Sequence, residues 1–238
     1  RARREAGIEL EVIEGVEEAR LVRLAIVGRL GLRDQRALLL DLGGGSLEIS
    51  LIDRGNLRAS KSLPIGTVRL LEMFHARAAE GEGELAREYV ERQLREIAFE
   101  IPRGSFDTCI GTGGNFDTLA QLCPPADAVA GAMPALEVAQ VRALLPILSA
   151  LSPDERRAKY GLRPDRADVI VPASEIVTGV ADAFGVERIV APGIGLKEGV
   201  LEELIEKHFD VWDYGGEANA SLEAALRLGR RYHFDEAH

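Results

Sequence analysis

The sequence contains few of the residues that usually build redox or metal sites. Its 238 residues include two cysteines, four histidines and one tryptophan, and only 5% are aromatic. Cys109 and Cys123 are too few and too widely spaced for a zinc site or a disulfide framework, so we expect a reducing, cytoplasmic compartment. The histidines are scattered without metal-ligand spacing, which argues against a histidine-based mechanism.

Positive charge is also scarce. The chain has 29 Lys and Arg against 39 Asp and Glu, a net charge of −10. A nucleic-acid partner would require a basic face, so we expect none, although a local site for a polyanion is compatible with an acidic protein. No apolar run approaches the ~20 residues that span a bilayer, and we expect no membrane partner.

Glycine, in contrast, is abundant, and three glycines are consecutive in the segment LLLDLGGGSLEISL at 38–51. An apolar strand that runs into three glycines and continues as a second strand forms a turn without side chains. The backbone N–H groups of Gly43, Gly44 and Gly45 can then approach a ligand closely, and glycine also permits the positive φ angles that point several N–H groups inward. Ser46 adds a hydroxyl donor. These features predict a phosphate-binding loop.

Acidic residues flank this loop. Asp41 ends the first strand and Glu48 lies on the second, where carboxylates beside a phosphate suit Mg²⁺. A second glycine-rich loop, GTGGN, also follows a strand, and Gly113, Gly114 and Asn115 are candidates for lining the path of a ligand. The plain alternatives are a glycine-rich β-turn and a strand-to-helix turn. The combination of two such loops with the acidic residues favours phosphate binding.

Hydrophobic periodicity predicts an α/β domain with a mixed sheet. The continuous apolar run at 37–42 is typical of a strand covered on both faces, and Arg54–Asn56 predict a hairpin turn between the next two strands. The pattern at 165–185 predicts a long apolar helix that is interrupted or kinked at Pro172. Further strands are predicted at 8–13, before the GTGGN loop and at the start of 188–204, with helices at 67–78, 82–101, 135–150 and 153–160.

Six segments in order resemble the exopolyphosphatase/guanosine pentaphosphate phosphohydrolase (Ppx/GppA) family of the actin-like ATPase superfamily. DLGGGSLE resembles the family's second phosphate-binding motif, and EGVEEARL resembles the segment that carries its catalytic glutamate. The other four segments are SLPIGTVRLLEMF, GTGGNFDTLAQL, ADVIVPASEIVTGV and GIGLKEGVLEEL.

The resemblance implies residue roles and a substrate class. Glu18 matches the glutamate that activates the attacking water, with Glu17 as the neighbour that could be confused with it. Asp41 and Glu48 match metal-linked acidic residues, and residues 43–46 match the phosphate cradle. The implied activity is Mg²⁺-dependent release of terminal phosphate from polyphosphate, or of the 5′ γ-phosphate from guanosine pentaphosphate, in a protein that often dimerises.

The resemblance also implies a domain organisation of the ribonuclease H-like, actin-like type, with an incomplete first lobe. Residues 1–30 match the tail of the first lobe, 31–208 the second lobe, and 209–238 a linker and the start of a helical C-terminal domain. The family's N-terminal phosphate loop has no counterpart in this sequence. We therefore expect the chain alone to turn over poorly or not at all.

Two other function classes are compatible with these residues. One is a non-catalytic module that senses polyphosphate or guanosine penta- or tetraphosphate. The other is an ATP-using kinase, although nothing in the sequence indicates a site for an acceptor substrate. The acidic residues Glu18, Asp41 and Glu48 favour the hydrolase.

Overall fold

The computed structural model describes residues 15–75, 82–101, 103–129 and 131–209, together with Gly7 and Ile13. The predicted strand at 8–13 and the predicted C-terminal segment after 209 lie outside the described residues. The α-helices and strands in chain order are α1 (Gly15–Leu30), β1 (Arg36–Leu42), β2 (Leu47–Asp53), β3 (Asn56–Leu63), α2 (Thr67–Leu70), α3 (Glu82–Glu100), β4 (Thr108–Thr112), α4 (Gly114–Leu122), β5 (Ala135–Glu137), α5 (Val138–Ser149), α6 (Pro153–Tyr160), α7 (Pro164–Ala167), α8 (Ile170–Phe184), β6 (Arg188–Val190) and α9 (Leu196–Phe209). A 3₁₀-helix, Leu32–Asp34, follows α1, and a π-helix, Leu71–His75, continues α2.

The described strands form one mixed sheet in the order β3-β2-β1-β4-β6-β5. β1 is antiparallel to β2 and parallel to β4, and β4 is parallel to β6. The sheet therefore combines an antiparallel meander, β1 to β3, with parallel strands whose carboxyl ends meet at one edge. That edge holds both glycine-rich loops.

Side chains of the central strand β1 alternate between two cores. Leu38, Leu40 and Leu42 pack into the larger core, which also contains residues of α3, α5 and α8. Ala37 and Leu39 point to the opposite face and pack against α1. Because successive strand residues point to opposite faces, this register places Asp41 on the α1 face.

The meander follows the sequence prediction closely. β1 and β2 are joined by residues 43–46, and β2 and β3 by the two-residue turn Arg54–Gly55. Both turn residues have positive φ, 51° and 76°, as a tight hairpin turn of the primed type requires. The fold class and the three consecutive strands are confirmed.

Two predicted helices differ from the structure. The segment 135–150 begins with the short strand β5, which pairs with β6, and only then becomes helical. The segment 165–185 is two helices, α7 and α8, so the predicted interruption exists but lies before Ile170, and its placement at Pro172 is wrong. Pro172 lies in the first turn of α8, where a residue's N–H has no partner within the helix and a proline is tolerated.

α1 packs against α9 as well as against the sheet. A Cβ at Gly199 of α9 would lie 2.1 Å from the carbonyl oxygen of Leu21, so the two helices approach as closely as only glycine allows. Arg29 of α1 pairs with Glu202 at 3.2 Å, and Arg20 pairs with Glu203. Among the described residues, no helix is long and apolar enough to cross a membrane.

Candidate functional site

Three acidic residues gather on the α1 face of the sheet, at the carboxyl end of β1. Asp41 and Glu48 are directly paired between β1 and β2, so both side chains lie on the same face. Thr112 of β4 pairs with Asp41 from the other side. Glu18, exposed on α1, is close enough for its charge to raise the pKa of Asp41. The structure thus brings together all three acidic residues singled out in the sequence.

The electrostatics of Asp41 reflect this crowding. Burial raises its pKa to about 6, and the negative charges of Glu48 and Glu18 add to the effect. A hydrogen bond from the Thr112 hydroxyl to the Asp41 carboxylate offsets part of the increase. The Glu48 carboxylate accepts a hydrogen bond from Ser62 at 2.7 Å. An arrangement of this kind gains free energy from a nearby cation or a bound metal.

Glu17 and Glu18 have different surroundings. The Glu17 carboxylate accepts two hydrogen bonds from Arg20, at 2.7 and 2.8 Å, and Arg20 also binds Glu203. These contacts engage Glu17 and Arg20 in the packing of α1 against α9. Glu18 is instead the α1 carboxylate whose charge acts on Asp41.

In the glycine loop, residues 43–46, the carbonyl groups of the three glycines lie on one side. The Ser46 carbonyl instead accepts from the Gly43 N–H at 3.0 Å, so the predicted use of the Gly43 N–H as a phosphate donor is wrong. The Gly43 carbonyl accepts from the Thr67 N–H at 3.1 Å, and the Gly44 carbonyl accepts from the Val68 N–H at 2.9 Å and the Arg69 N–H at 3.1 Å. The Gly45 carbonyl accepts from Nε of Arg69 at 3.1 Å. All three carbonyls therefore face the start of α2.

The N–H groups of the same peptides point the other way. In a trans peptide the C=O and N–H bonds are opposed, so the N–H groups of Gly44, Gly45 and Ser46 are directed away from α2. None of these three N–H groups has a hydrogen-bond partner among the described residues. The loop therefore presents three adjacent, unused backbone donors, which is the chemistry of an anion-binding cradle.

Close packing, not left-handed backbone, accounts for the glycine at Gly44, whereas no protein atom lies within 4 Å of a Cβ at Gly45. None of Gly43, Gly44 and Gly45 has positive φ, so the expectation that they adopt such angles is wrong. A Cβ at Gly44 would meet Val68 Cγ2 at 3.0 Å. Gly66 is also close to the loop, because a Cβ at Gly66 would lie 2.3 Å from backbone atoms of Gly44 and Gly45. The loop rests directly on Gly66.

The acidic residues could hold a hard divalent cation such as Mg²⁺ only if a bound phosphate compound and water supplied its remaining ligands. No group of three or more His, Cys, Asp or Glu side chains in the described part of the chain could hold a metal ion. Mg²⁺ commonly uses one or two protein carboxylates and completes its shell with water and substrate phosphates. Asp41 and Glu48 could supply such carboxylates. Gly113 lies close to Asp41, because a Cβ at Gly113 would be 3.7 Å from the Asp41 Oδ1.

A cleft of about 850 Å³ begins at Gly113 and Gly114 and continues along the start of α9. Its walls include Asp117 and the apolar side chains of Ile194 and Leu201. Burial raises the pKa of Asp117, and the charge of Arg166 partly offsets this. Two of the three predicted ligand-path residues thus line a cleft.

Asn115, the third, is not among the residues that line the cleft and is 3% exposed. Its amide donates to the Leu42 carbonyl at 3.4 Å and accepts from Arg166 at 3.2 Å. Asn115 therefore links α7 to the end of β1, just before the glycine loop. Its side chain is occupied by these contacts.

Sequence reasoning missed Gly66 and Arg69, which contact the glycine loop from about 20 residues downstream, and Asp117 in the cleft wall. The segment IGTVR carries one usable signal, a glycine just before a short helix. Nothing local indicates that Gly66 supports another loop. The contacts of Gly66 and Arg69 with the glycine loop form only because β3 brings the chain back to the end of β1, and the local sequence does not indicate this.

A mixed sheet flanked by helices, with a glycine loop between its first two strands and acidic residues beside it, is the architecture of phosphatases with the actin-like ATPase fold. Residues 1–208 match the Ppx/GppA phosphatase family. The chain belongs to that family.

Individual relatives agree with this assignment. The chain is similar to exopolyphosphatase 1 of Mycobacterium leprae, with 29% identity over 215 residues, 88% of this chain and 63% of the relative. It is 27% identical to a guanosine-5′-triphosphate,3′-diphosphate pyrophosphatase of Photobacterium profundum, over 86% of this chain and 41% of that protein. A crystal structure of the Aquifex aeolicus family member superimposes with a TM-score of 0.73 at 28% identity, covering 87% of this chain and 68% of that one. The chain thus spans less than two thirds of the curated relatives it matches.

Proposed function

We propose that this chain provides the catalytic acidic residues and one phosphate cradle of an enzyme that hydrolyses terminal phosphoanhydride bonds. The substrate is inorganic polyphosphate or pppGpp, and in pppGpp the group released is the 5′ γ-phosphate. The observation that carries the proposal is the placement of three unpartnered backbone N–H groups, at Gly44, Gly45 and Ser46, beside Asp41 at the end of β1. The names of the Mycobacterium and Photobacterium relatives support the two substrate classes.

Phosphoanhydride hydrolysis asks a protein for positioning and charge stabilisation more than for covalent chemistry. The three N–H donors hold phosphate oxygens and stabilise the charge that develops on them. Glu18, exposed and on the same face, accepts the proton of the attacking water. Mg²⁺, held through Asp41 and Glu48, supplies positive charge to the phosphate oxygens when it is bound.

The experiment compares phosphate release by wild type, Glu18→Gln and Glu17→Gln in the intact protein, with Mg²⁺ and each substrate in turn. A general base contributes roughly 10²–10⁴-fold, so we expect Glu18→Gln to lower kcat by about that factor with little change in affinity. Glu17→Gln is the matched control and should retain activity within several-fold, because Glu17 is engaged by Arg20. Because Glu17 contacts Arg20, the Glu17→Gln variant also shows how far a change in the packing of α1 affects activity.

Two outcomes would contradict the proposal. Full activity of Glu18→Gln would exclude Glu18 as the base. If the wild type bound polyphosphate or pppGpp without releasing phosphate, the protein would be a sensor of these compounds and not an enzyme.

A further inference from the structure

The three peptides of the glycine loop are not held in the same way. The first two, whose carbonyls belong to Gly43 and Gly44, are fixed by backbone N–H groups at the start of α2. The third, between Gly45 and Ser46, is fixed by a side chain: its carbonyl accepts a hydrogen bond from Nε of Arg69 at 3.1 Å. No other hydrogen bond to this carbonyl occurs among the described residues.

This difference matters because the third peptide carries the third donor. The orientation of the Gly45 carbonyl also sets the orientation of the Ser46 N–H, since the two belong to one planar unit. No protein atom lies within 4 Å of the position that a Cβ of Gly45 would take. The Gly45 carbonyl carbon packs against Gly66, and the Arg69 hydrogen bond fixes the direction of the carbonyl oxygen. A peptide that follows glycine also has more accessible backbone angles than any other.

We propose that Arg69 is a positioning residue that holds the Ser46 N–H in the phosphate cradle. Arg69 is exposed, and its guanidinium Nε donates to the Gly45 carbonyl. Its backbone N–H is bonded to Gly44, which anchors the residue beside the loop, and its side chain folds back onto the next peptide. The inference rests on the proposed function, because it assigns a role within the same cradle.

We expect the loss of activity in Arg69→Gln to be smaller than the loss caused by removing a backbone donor altogether. Removing one preorganised donor from a site of this kind lowers kcat about 10²–10³-fold. In Arg69→Gln the donor is still present but is no longer held in one orientation, so we expect a loss of roughly 10- to 100-fold in kcat/KM. The thermal midpoint should change little, because the lost hydrogen bond is at an exposed position.

The test combines kinetics with NMR on the intact protein. Arg69→Gln is compared with wild type and with Arg87→Gln, which alters a solvent-exposed arginine on α3. Amide resonances of Gly44 and Ser46 are followed during titration with inorganic pyrophosphate and Mg²⁺. We expect both amides to shift in wild type and in Arg87→Gln, and only Gly44 to shift in Arg69→Gln. Guanidinium ion added to Arg69→Ala should restore part of the lost activity.

The outcomes separate this inference from the proposed function. If wild type shows neither phosphate release nor amide shifts, the cradle itself is wrong and the proposed function falls with it. If wild type is active and Arg69→Gln matches it in rate and in the Ser46 shift, only the role of Arg69 is refuted. Loss of both shifts together with a lowered thermal midpoint would show a general structural role and would likewise refute positioning.

Discussion

Replacing Asp41 with asparagine tests the electrostatics of the acidic site without using activity as the readout. Burial, with the charges of Glu48 and Glu18, raises the pKa of Asp41 from its usual 3.8 to about 6. Because one pKa unit corresponds to 1.36 kcal/mol, the ionised carboxylate costs about 2–3 kcal/mol of folding free energy. Asparagine has nearly the same shape and no charge, so Asp41→Asn should recover most of this folding free energy at neutral pH.

The sign of the pH dependence follows from proton binding. Between pH 3.8 and 6 the native state holds more protons at Asp41 than the unfolded state does. Stability of the wild type therefore falls as pH rises through this window, and the full cost is present above about pH 6. The advantage of Asp41→Asn over wild type should be greatest at pH 7–8 and should fall below about 1 kcal/mol near pH 4.

The assay is thermal unfolding of wild type and Asp41→Asn from pH 4 to pH 8, in the absence of divalent cations. For a protein of this size 1 kcal/mol shifts the midpoint by about 2–4 °C, so we expect a gain on the order of 5–10 °C at pH 8. Asp34→Asn, at an exposed position, is the matched control and should change the midpoint little at any pH. A pH-independent difference, or a lower midpoint for Asp41→Asn at pH 8, would refute the reasoning. Catalysis should be lost in the same variant.

Two further predictions concern the glycines around the loop. Gly66→Ala places a Cβ 2.3 Å from the loop backbone and should displace it, with a loss of pyrophosphate affinity and of roughly 2 kcal/mol or more in unfolding free energy; Gly28→Ala, where no atom lies within 4 Å, should leave affinity unchanged and serves as the control. Gly45→Ala meets no protein atom and has no left-handed φ to accommodate, so it should raise stability by about 0.4–1 kcal/mol while weakening pyrophosphate binding measured by calorimetry. Unchanged affinity in both loop variants would show that the cradle does not bind phosphate.

The meander and the acidic residues could be predicted from the sequence because their signals are local. The buried strand β1, its continuation through three glycines and the turn at Arg54–Gly55 all depend on residues adjacent in the chain. The pairing of Asp41 with Glu48 then follows from the short connection between two antiparallel strands. The α/β class with a mixed sheet followed from these strands together with the helical periodicity, whereas the actin-like type was implied by the family resemblance.

The missed features depend on contacts between distant segments. β5 is only three residues long and exists because Leu136 pairs with Ile189, which no local propensity indicates. Pro172 was expected to kink a helix because the break before α8 could not be located from hydrophobic periodicity alone. Gly66 and Arg69 act on the glycine loop only after β3 has returned the chain to it.

The three consecutive glycines at the end of β1 answer to two different requirements. Gly44 is needed by the protein itself, because a Cβ there would press on Val68 at 3.0 Å. Gly45 is not needed by any protein contact, and its φ is one that other residues adopt. Glycine at such a position raises the entropy lost on folding without relieving a clash in the described structure. That cost is explained if the space beside Gly45 belongs to a ligand that approaches the backbone N–H groups, which is what the proposed phosphate cradle requires.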